Sequence, residues 1–270
     1  MECNIKGNTI HYEVIGTGKP ILCIHGYPED HHVMKGCLEP IFKNNDTFQR
    51  IYIDLPGMGK SIVSKTLKNA DDMIDVIASF MNTIIGNKNF SIIGQSYGGY
   101  LTLGLLLHKI NRINGVFLLC PCVTADNKNR ILPMKTEPKN INNFIDTYKE
   151  EEYFGDFMEY AAIASEDAFN RFKKEVLPGL LTGNPSFIKQ YQEEGYACSY
   201  IEDIKKIAYH QPVTILTGKQ DHCVGYEEAF ELTKNFSKAS FILLNNAGHN
   251  LQLEQEELFI SHMLNWLKQI

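Results

Sequence analysis

The sequence predicts an α/β fold, in which a mostly parallel β-sheet is covered by helices on both faces. Short apolar runs that suit buried strands alternate along the chain with longer segments of helical periodicity, which is the pattern of repeated strand–helix–strand units. Polar motifs follow the ends of several of these runs. One run turns directly into an apolar helix through a serine flanked by glycines.

The predicted strands are short and mostly apolar, as is typical of strands buried within a parallel sheet. In chain order they span residues 9–15, 20–24, 48–53, 90–93, 113–119, 212–217 and 240–244. The first of them alternates polar and apolar residues between two glycine-containing turns, so we expect it to be antiparallel.

The predicted helices of the same unit follow the strands. They comprise residues 71–85, the apolar segment that ends at His108, and residues 226–236 and 251–267. Asp71 and Asp72 suit the first turn of their helix, because the positive end of the helix dipole favours acidic side chains there.

The alternation of predicted strands and helices stops after Pro121. Residues 123–204 contain no apolar run that suits a buried strand, and prolines separate predicted helices at 141–148, 151–162, 166–176 and 186–194. This segment holds twelve aromatic residues, and its fifteen acidic and nine basic residues give it the net charge of the whole chain, −6. We therefore predict a core of residues 1–122 and 205–270 and a helical insertion of residues 123–204.

Composition restricts the classes of function. The chain is 44% hydrophobic and 21% charged, and its negative net charge argues against nucleic acid and acidic membranes as partners. No apolar run approaches the roughly 20 residues that span a bilayer, and we expect no signal peptide. Seven cysteines, an odd number, indicate free thiols in a reducing compartment, so we predict a cytoplasmic protein.

The segment from Gly94 to Gly98 carries the most informative motif. A strand that reverses tightly into a helix leaves no room for side chains on either side of the turn, which explains the two glycines. The residue between them, Ser96, is pushed out of the sheet. The N-terminus of the next helix then directs backbone N–H groups toward whatever the serine hydroxyl attacks.

Ser96, Asp221 and His249 each follow the C-terminal end of a predicted strand, so we expect them to lie together at one edge of the sheet. A serine hydroxyl is a weak nucleophile until a base accepts its proton. A histidine serves as that base when a carboxylate fixes its tautomer and stabilises its charged form. The chain order of serine, aspartate and histidine is the order expected for a serine in such a turn.

These motifs resemble those of the α/β-hydrolases that carry a helical cap. The resemblance also includes the loop His25-Gly26-x-Pro28 and the loop from Asp54 to Ser61, and it covers nearly the whole chain. It implies an α/β-hydrolase sheet, mostly parallel, with the cap inserted after the sixth strand. The residues 123–204 match a cap only in their position and helical character.

The resemblance also implies roles for single residues. Ser96 would be the nucleophile, His249 the general base and acid, and Asp221 the acid that orients the histidine. The backbone N–H groups of Tyr27 and Tyr97 would form the oxyanion hole. No metal and no organic cofactor is implied.

Serine at position 96 limits the reaction, because dehalogenase-like and epoxide-hydrolase-like members of the family carry aspartate there. The resemblance therefore implies hydrolysis of a small-molecule ester, thioester or amide through an acyl-enzyme. One alternative is a prolyl-aminopeptidase-like peptidase in which Glu150, Glu151 and Glu152 bind a substrate amine. Others are a non-hydrolytic lyase and a ligand receptor on the same scaffold. The aromatic residues of the cap predict an apolar cavity, whereas the substrate-binding residues and the oligomeric state are not predicted.

Other polar residues compete for these roles. Asp126 follows the strand before the insertion and is our second choice for the orienting acid. His222 adjoins Asp221, and we expect it to be structural or exposed. Asp54 is also expected to be structural. Its loop ends like a phosphate-binding loop, but it lacks the first glycine of that motif, and a carboxylate there would repel phosphate.

Overall fold

A computed structural model describes residues 1–43, 47–108, 111–199, 203 and 206–270. Within these residues a single large sheet contains eight strands. They are β1 (Glu2–Ile5), β2 (Asn8–Ile15), β3 (Lys19–Ile24), β4 (Phe48–Ile53), β5 (Phe90–Gln95), β6 (Ile113–Leu119), β7 (Val213–Gly218) and β8 (Ala239–Leu244).

The strands lie in the order β1-β2-β4-β3-β5-β6-β7-β8. β1 pairs with β2 and β2 pairs with β4 in antiparallel fashion, and the other neighbours are parallel. The C-terminal ends of β3 to β8 therefore meet at one edge of the sheet, where ligands bind in such folds. The predicted fold class, a mostly parallel α/β-hydrolase sheet, is confirmed.

Eleven α-helices are found among the described residues. They are α1 (His31–Phe42), α2 (Ala70–Ile84), α3 (Tyr97–Leu107), α4 (Phe144–Tyr148), α5 (Phe154–Tyr160), α6 (Glu166–Glu175), α7 (Leu177–Leu180), α8 (Pro185–Gln190), α9 (Glu227–Leu232), α10 (Leu251–Glu254) and α11 (Glu256–Leu267). Among the described helices, none combines the length and apolar character needed to cross a bilayer.

Helices cover both faces of the sheet, as predicted. Alternate residues of a strand point to opposite faces, and in β3 Leu22 packs into one apolar layer while Cys23 packs into the other. The first layer contains buried side chains of α2 and α3, and the second contains those of α1 and α11. Because the central strands are buried from both sides, their sequences are continuous apolar runs rather than alternating ones.

All seven predicted strands are confirmed, but β1 and α1 were not predicted. β1 makes Ile113–Leu119 the sixth strand of the sheet. The helical pattern of α1 is interrupted by Gly36 and Pro40, both poor helix formers. Its start is fixed by Asp30, whose side chain accepts a hydrogen bond from the His32 N–H at 2.9 Å.

Two predicted helices of the core are shorter or divided in the structure. The helix predicted at 226–236 ends at Leu232, because the following N–H groups bond three residues back and tighten the chain into a turn. The helix predicted at 251–267 is divided into α10 and α11 by Gln255, whose φ of −128° and ψ of 50° are not helical.

Among the described residues, five α-helices, α4 to α8, lie between β6 and β7 in the chain, where the helical insertion was predicted. α4 and α5 begin later than predicted because Asn143 and Tyr153 adopt left-handed backbone conformations just before them. The segment also contains two short parallel strands that were not predicted, Lys139–Asn140 and Ile163–Ala164. The predicted boundary between residues 204 and 205 lies outside the described residues.

Candidate active site

Ser96 lies in the sharp turn between β5 and α3. Its φ of 51° and ψ of −118° are unusual for a residue with a side chain, and they turn the strand directly into the helix. A side chain at Gly98 could not be accommodated, because its Cβ would meet the carbonyl oxygens of Ile24 and His25 at the end of β3. The predicted strand–serine–helix turn is therefore present, and it is packed against the neighbouring strand.

The structure brings Ser96, Asp221 and His249 together although they are far apart in the chain. The Ser96 Oγ lies 2.9 Å from His249 Nε2, and Asp221 Oδ2 lies 2.9 Å from His249 Nδ1. A carboxylate only accepts hydrogen bonds, so Nδ1 carries the ring proton and Nε2 is left to accept the serine proton. This is the arrangement in which a histidine can serve as a base for a serine.

Asp221 is fully buried and is fixed by the loop that it begins. Its Oδ1 accepts hydrogen bonds from the N–H groups of Cys223 and Val224 at 2.9 and 3.1 Å. Gly218, at the end of β7, allows the chain before His249 to pass close by, since a Cβ there would lie 2.5 Å from the Gly248 carbonyl. The end of β7 and the loop after β8 are thus held side by side.

Two opposing effects act on the pKa of His249. Burial by itself would lower it, but the Asp221 carboxylate and the Cys223 sulfur together outweigh burial and raise the pKa of His249 well above its ordinary value of 6.5. The charged imidazolium is therefore stabilised in this site. That is what a histidine needs if it is to hold a proton taken from serine during a reaction.

The backbone N–H groups of Tyr27 and Tyr97 belong to residues next to the serine, Tyr97 in the chain and Tyr27 in the cavity wall. Tyr97 is the first residue of α3, and Tyr27 follows Gly26, where a Cβ would lie 2.9 Å from the Ser96 Cβ. Neither N–H donates a hydrogen bond to any described residue. Both are therefore available to an oxygen bound next to Ser96.

His25 holds the loop that carries Tyr27. Its Nδ1 donates to the carbonyl of Gly26 at 2.7 Å, and its Nε2 accepts a hydrogen bond from the N–H of Leu55 at 2.9 Å. Burial lowers the pKa of His25, which favours the neutral ring that this bonding requires. The prediction that His25 has a structural role in its loop agrees with these contacts.

A cavity of about 630 Å³ opens onto Ser96 and His249. Part of its wall comes from the core, including Tyr27 and Glu29, and part comes from the segment between β6 and β7. That segment contributes apolar, polar and charged side chains to the wall. They are Asp126, Lys128, Arg130, Tyr160, Phe172, Val176, Leu180, Gln192, Glu193, Glu194 and Tyr196. The expectation of an apolar cavity is therefore wrong in part, since the wall is mixed.

Most aromatic residues of this segment pack against each other instead of lining the cavity. Phe144, Phe157 and Phe169 form a buried cluster, with ring centroids 5.3 to 5.8 Å apart. These contacts stabilise the segment. Of its aromatic residues, Tyr160, Phe172 and Tyr196 reach the cavity.

A family model of the alpha/beta hydrolase fold matches residues 19–256, which is most of the chain. The chain belongs to the alpha/beta hydrolase family. The family that the sequence motifs predicted is thereby confirmed.

Similar hydrolases align with nearly the whole chain. The AB hydrolase superfamily protein YisY of Bacillus subtilis (strain 168) is 24% identical over 256 residues, which cover 92% of this chain and 91% of that protein. The pimeloyl-acyl-carrier-protein methyl ester esterase of Nitrosomonas europaea is 24% identical over 259 residues, with 94% and 97% covered. The crystal structure of an alpha/beta superfamily hydrolase from Oenococcus oeni PSU-1 has a TM-score of 0.89 at 33% identity, covering 100% of this chain and 98% of that one.

Two carboxyl groups of this alpha/beta hydrolase were not singled out from the sequence. Glu29 lies in the cavity wall, and burial raises the pKa of Glu29 to about 7. Its Oε2 atom is buried and has no hydrogen-bond partner among the described residues, and the same holds for both polar atoms of the Gln95 amide. The position of Glu29 directly after the Tyr27-Pro28 pair is the one signal in the sequence that could have drawn attention to it.

Glu254 connects the His249 loop to the segment between β6 and β7. Its Oε2 accepts a hydrogen bond from the Gly248 N–H at 2.6 Å, and its Oε1 accepts one from the Ala162 N–H at 2.6 Å and one from the Ile163 N–H at 3.2 Å. Burial raises the pKa of Glu254 to about 7, although the three N–H donors oppose that rise. Nothing in the sequence marks this residue.

The competing residues of the sequence analysis are engaged elsewhere. Asp126 is exposed, and its carboxylate accepts hydrogen bonds from the Lys128 N–H and from Asn129 Nδ2, whereas Asp221 contacts His249. His222 Nε2 lies 2.6 Å from the carbonyl oxygen of Glu159. Asp126 is therefore not placed as the partner of His249 in this hydrolase.

Asp54 has a structural environment, as expected. It is buried, and its carboxylate accepts hydrogen bonds from the N–H groups of His31 and Lys60 at 2.9 Å and lies 2.7 Å from His31 Nδ1. These contacts lower the pKa of Asp54 to about 2, against the effect of its burial.

All seven cysteines are free thiols, and Cys223 lines the cavity.

Proposed function

We propose that this protein is a serine hydrolase that cleaves a small ester through an acyl-enzyme formed on Ser96. The observation that carries this proposal is the pair of 2.9 Å contacts that link Ser96 Oγ to His249 and His249 to Asp221. An esterase among the relatives that align over nearly the whole chain supports an ester as the substrate. A thioester or an amide would react by the same steps.

The proposed mechanism begins when Ser96 Oγ attacks the substrate carbonyl carbon and its proton passes to His249 Nε2. The oxygen of the tetrahedral intermediate accepts hydrogen bonds from the N–H groups of Tyr27 and Tyr97, which have no other acceptor among the described residues. Asp221 stabilises the imidazolium meanwhile. His249 then donates its proton to the leaving alkoxide, and the carbon–oxygen bond breaks to leave an ester of Ser96.

Hydrolysis of this acyl-enzyme repeats the steps with water as the nucleophile. His249 removes a proton from the water, which attacks the acyl carbon, and then returns the proton to Ser96 Oγ as the acid leaves. No cofactor takes part in this scheme, because the proton moves between groups of the chain and the substrate only.

We further propose that residues 123–204 act as a cap that covers the cavity and selects the substrate. Their contribution of Tyr160, Phe172 and Arg130 to the wall supports this role. A cavity of about 630 Å³ lies within the usual range for small-molecule sites. The mixed wall favours an acyl group that carries a polar substituent over a long unbranched chain.

The peptidase alternative receives less support. Glu150, Glu151 and Glu152 are exposed and do not line the cavity, so they are not placed to bind a substrate amine there. The lyase and receptor alternatives use the same residues. They are distinguished from the hydrolase by measuring whether the protein turns over an ester. A lyase would release no acid from an ester, and a receptor would hydrolyse esters slowly or not at all.

A panel of aryl esters that differ in acyl length and polarity tests the proposal. We expect turnover of at least one short-chain member and a loss of roughly 10⁴-fold or more in kcat for Ser96→Ala. Ser240→Ala, which removes an exposed hydroxyl on β8, is the control and should leave kcat unchanged. Turnover retained by Ser96→Ala, or no ester cleaved by the wild-type enzyme, would contradict the proposal.

A further inference from the structure

A second cluster of ionisable side chains lies outside the cavity wall, at the start of α1. It consists of His11 and Glu13 of β2 and His31, the first residue of α1, and the ligand atoms of the three side chains all lie within 4.8 Å of one another. Residues two apart in a strand point to the same face, so β2 presents His11 and Glu13 side by side. Neither they nor His31 line the cavity described above.

We propose that His11, Glu13 and His31 form a binding site for a divalent transition-metal ion of the zinc class. Two imidazole nitrogens and one carboxylate oxygen make up a common donor set for such ions in proteins, with a water completing the coordination. The site goes beyond the proposed hydrolysis and takes no part in it.

The orientation of His31 fits that of a metal ligand. Its Nδ1 lies 2.7 Å from Asp54 Oδ1 and donates to it, while Nε2 faces away from Asp54 toward Glu13 Oε1 and would release its proton when a metal ion binds. A carboxylate that holds the far nitrogen of a ligating histidine in this way is the usual support of a metal–histidine bond. Asp54 is itself fixed, because it also accepts hydrogen bonds from two backbone N–H groups.

Glu13 offers one oxygen to the site. Its Oε2 is occupied by Lys35 Nζ at 2.6 Å, whereas Oε1 lies 3.2 Å from His31 Nε2. Two ligands of a tetrahedral zinc ion at bond lengths of about 2.0–2.1 Å lie roughly 3.3 Å apart. The observed separation of Glu13 Oε1 and His31 Nε2, at present a hydrogen-bond distance, therefore needs little change to become that of a ligand pair.

His11 supplies the third donor. Its Nε2 is buried and has no hydrogen-bond partner among the described residues. A buried polar atom without a partner costs free energy, and such atoms call for an explanation. A metal ion bound by this nitrogen and by the other two side chains would satisfy it.

Metal binding to the purified full-length protein tests the site. After dialysis against a chelator, the protein is titrated with Zn²⁺ by calorimetry and its metal content is measured by mass spectrometry. We expect one equivalent bound and, at 100 times the dissociation constant, a rise in Tm of about 5–10 °C. His11→Gln and Glu13→Gln should each weaken binding at least 10-fold, and His210→Gln, which changes an exposed histidine elsewhere, should not.

The absorption spectrum of the Co²⁺-loaded wild-type protein checks the ligands without any variant. Nitrogen and oxygen ligands in four-coordinate geometry should give visible d–d bands and no thiolate charge-transfer band in the near ultraviolet. A thiolate band would place the ion on a cysteine, and binding lost in His249→Gln but kept in His11→Gln would place it at Ser96. Either of these results, or no binding by the wild-type protein, would overturn the proposal.

Discussion

The Asp221 carboxylate lies 2.9 Å from the ring nitrogen of His249 that faces away from Ser96, and it raises the pKa of that ring well above 6.5. A general base must be neutral before it can accept a proton. We therefore expect kcat/KM for an ester to increase with pH along a limb whose midpoint lies above pH 6.5. The pH profile of kcat/KM for the free enzyme measures this midpoint.

Asp221→Asn provides the matched comparison for that profile. The variant removes the negative charge but keeps the size of the side chain, so the limb should move to lower pH while kcat falls by roughly 10⁴-fold. A wild-type midpoint at or below pH 6.5, or a midpoint that does not move in Asp221→Asn, would show that the carboxylate does not act on the base.

Glu29→Gln should stabilise the protein more at alkaline pH than at acidic pH. Burial raises the pKa of Glu29 to about 7 from an ordinary 4.5, so the folded state keeps its proton between these values while the unfolded state loses it. The wild-type protein therefore loses stability relative to the variant as pH rises from 4.5 to about 7, by up to about 3 kcal/mol. Urea unfolding of both proteins at pH 5 and pH 8 measures this difference.

Titrating groups that do not interact with Glu29 are shared by the two proteins, so their contributions cancel in the comparison. The difference in free energy of unfolding between Glu29→Gln and wild type should be larger at pH 8 than at pH 5. The same difference at both values would mean that Glu29 is ionised in the folded protein throughout this range.

Glu254→Gln should lower both kcat and stability. Glutamine has one acceptor oxygen and a donor NH₂ group, so it cannot accept from Gly248 and from Ala162 and Ile163 as the carboxylate does. A buried N–H without a partner costs about 1–3 kcal/mol, and a displaced His249 loop should reduce kcat about 10-fold or more while KM changes little.

The control for this variant is Glu256→Gln. Glu256 is half-exposed and pairs with Arg171 at 3.3 Å, a contact of the kind that contributes about 0–1 kcal/mol. Its replacement should leave kcat unchanged. If Glu254→Gln behaves like Glu256→Gln in steady-state kinetics and denaturation, Glu254 does not position the histidine.

Gly98→Ala should destabilise the fold and reduce activity, because the added methyl group would collide with the Ile24 carbonyl and lie 2.6 Å from the His25 carbonyl. Overpacking of this kind costs about 1–3 kcal/mol. Gly155→Ala in α5 adds the same methyl group where nothing lies within 4 Å, and it should be neutral or stabilise by about 0.5–1 kcal/mol. Thermal unfolding measures the stability of both variants. Equal effects of the two substitutions would contradict the packing described for the turn.

The sequence was sufficient to predict seven of the eight strands of the sheet and the grouping of Ser96, Asp221 and His249. Buried parallel strands are continuous apolar runs that can be recognised one by one, and parallel pairing places the residues after them at the same edge. α1 was missed because its sequence contains Gly36 and Pro40, which weaken the helical pattern.

Contacts that depend on packing could not be predicted in this way. Glu29 and Glu254 are distinguished by burial and by their neighbours, and neither property is visible in a single sequence. The same holds for the cluster at His11, which forms because β2 pairs with β4 and places the His11 backbone against Asp54, whose side chain then reaches His31. The sequence implied no metal for the reaction, and the proposed site is separate from it.

Labelling by an organophosphonate probe tests most directly whether the Ser96 hydroxyl is activated by His249. The native enzyme should be labelled at one equivalent, with the added mass found on the peptide that contains Ser96, and His249→Ala should react far more slowly. No labelling of the native enzyme, or labelling of Ser96 at the same rate in His249→Ala, would contradict the account.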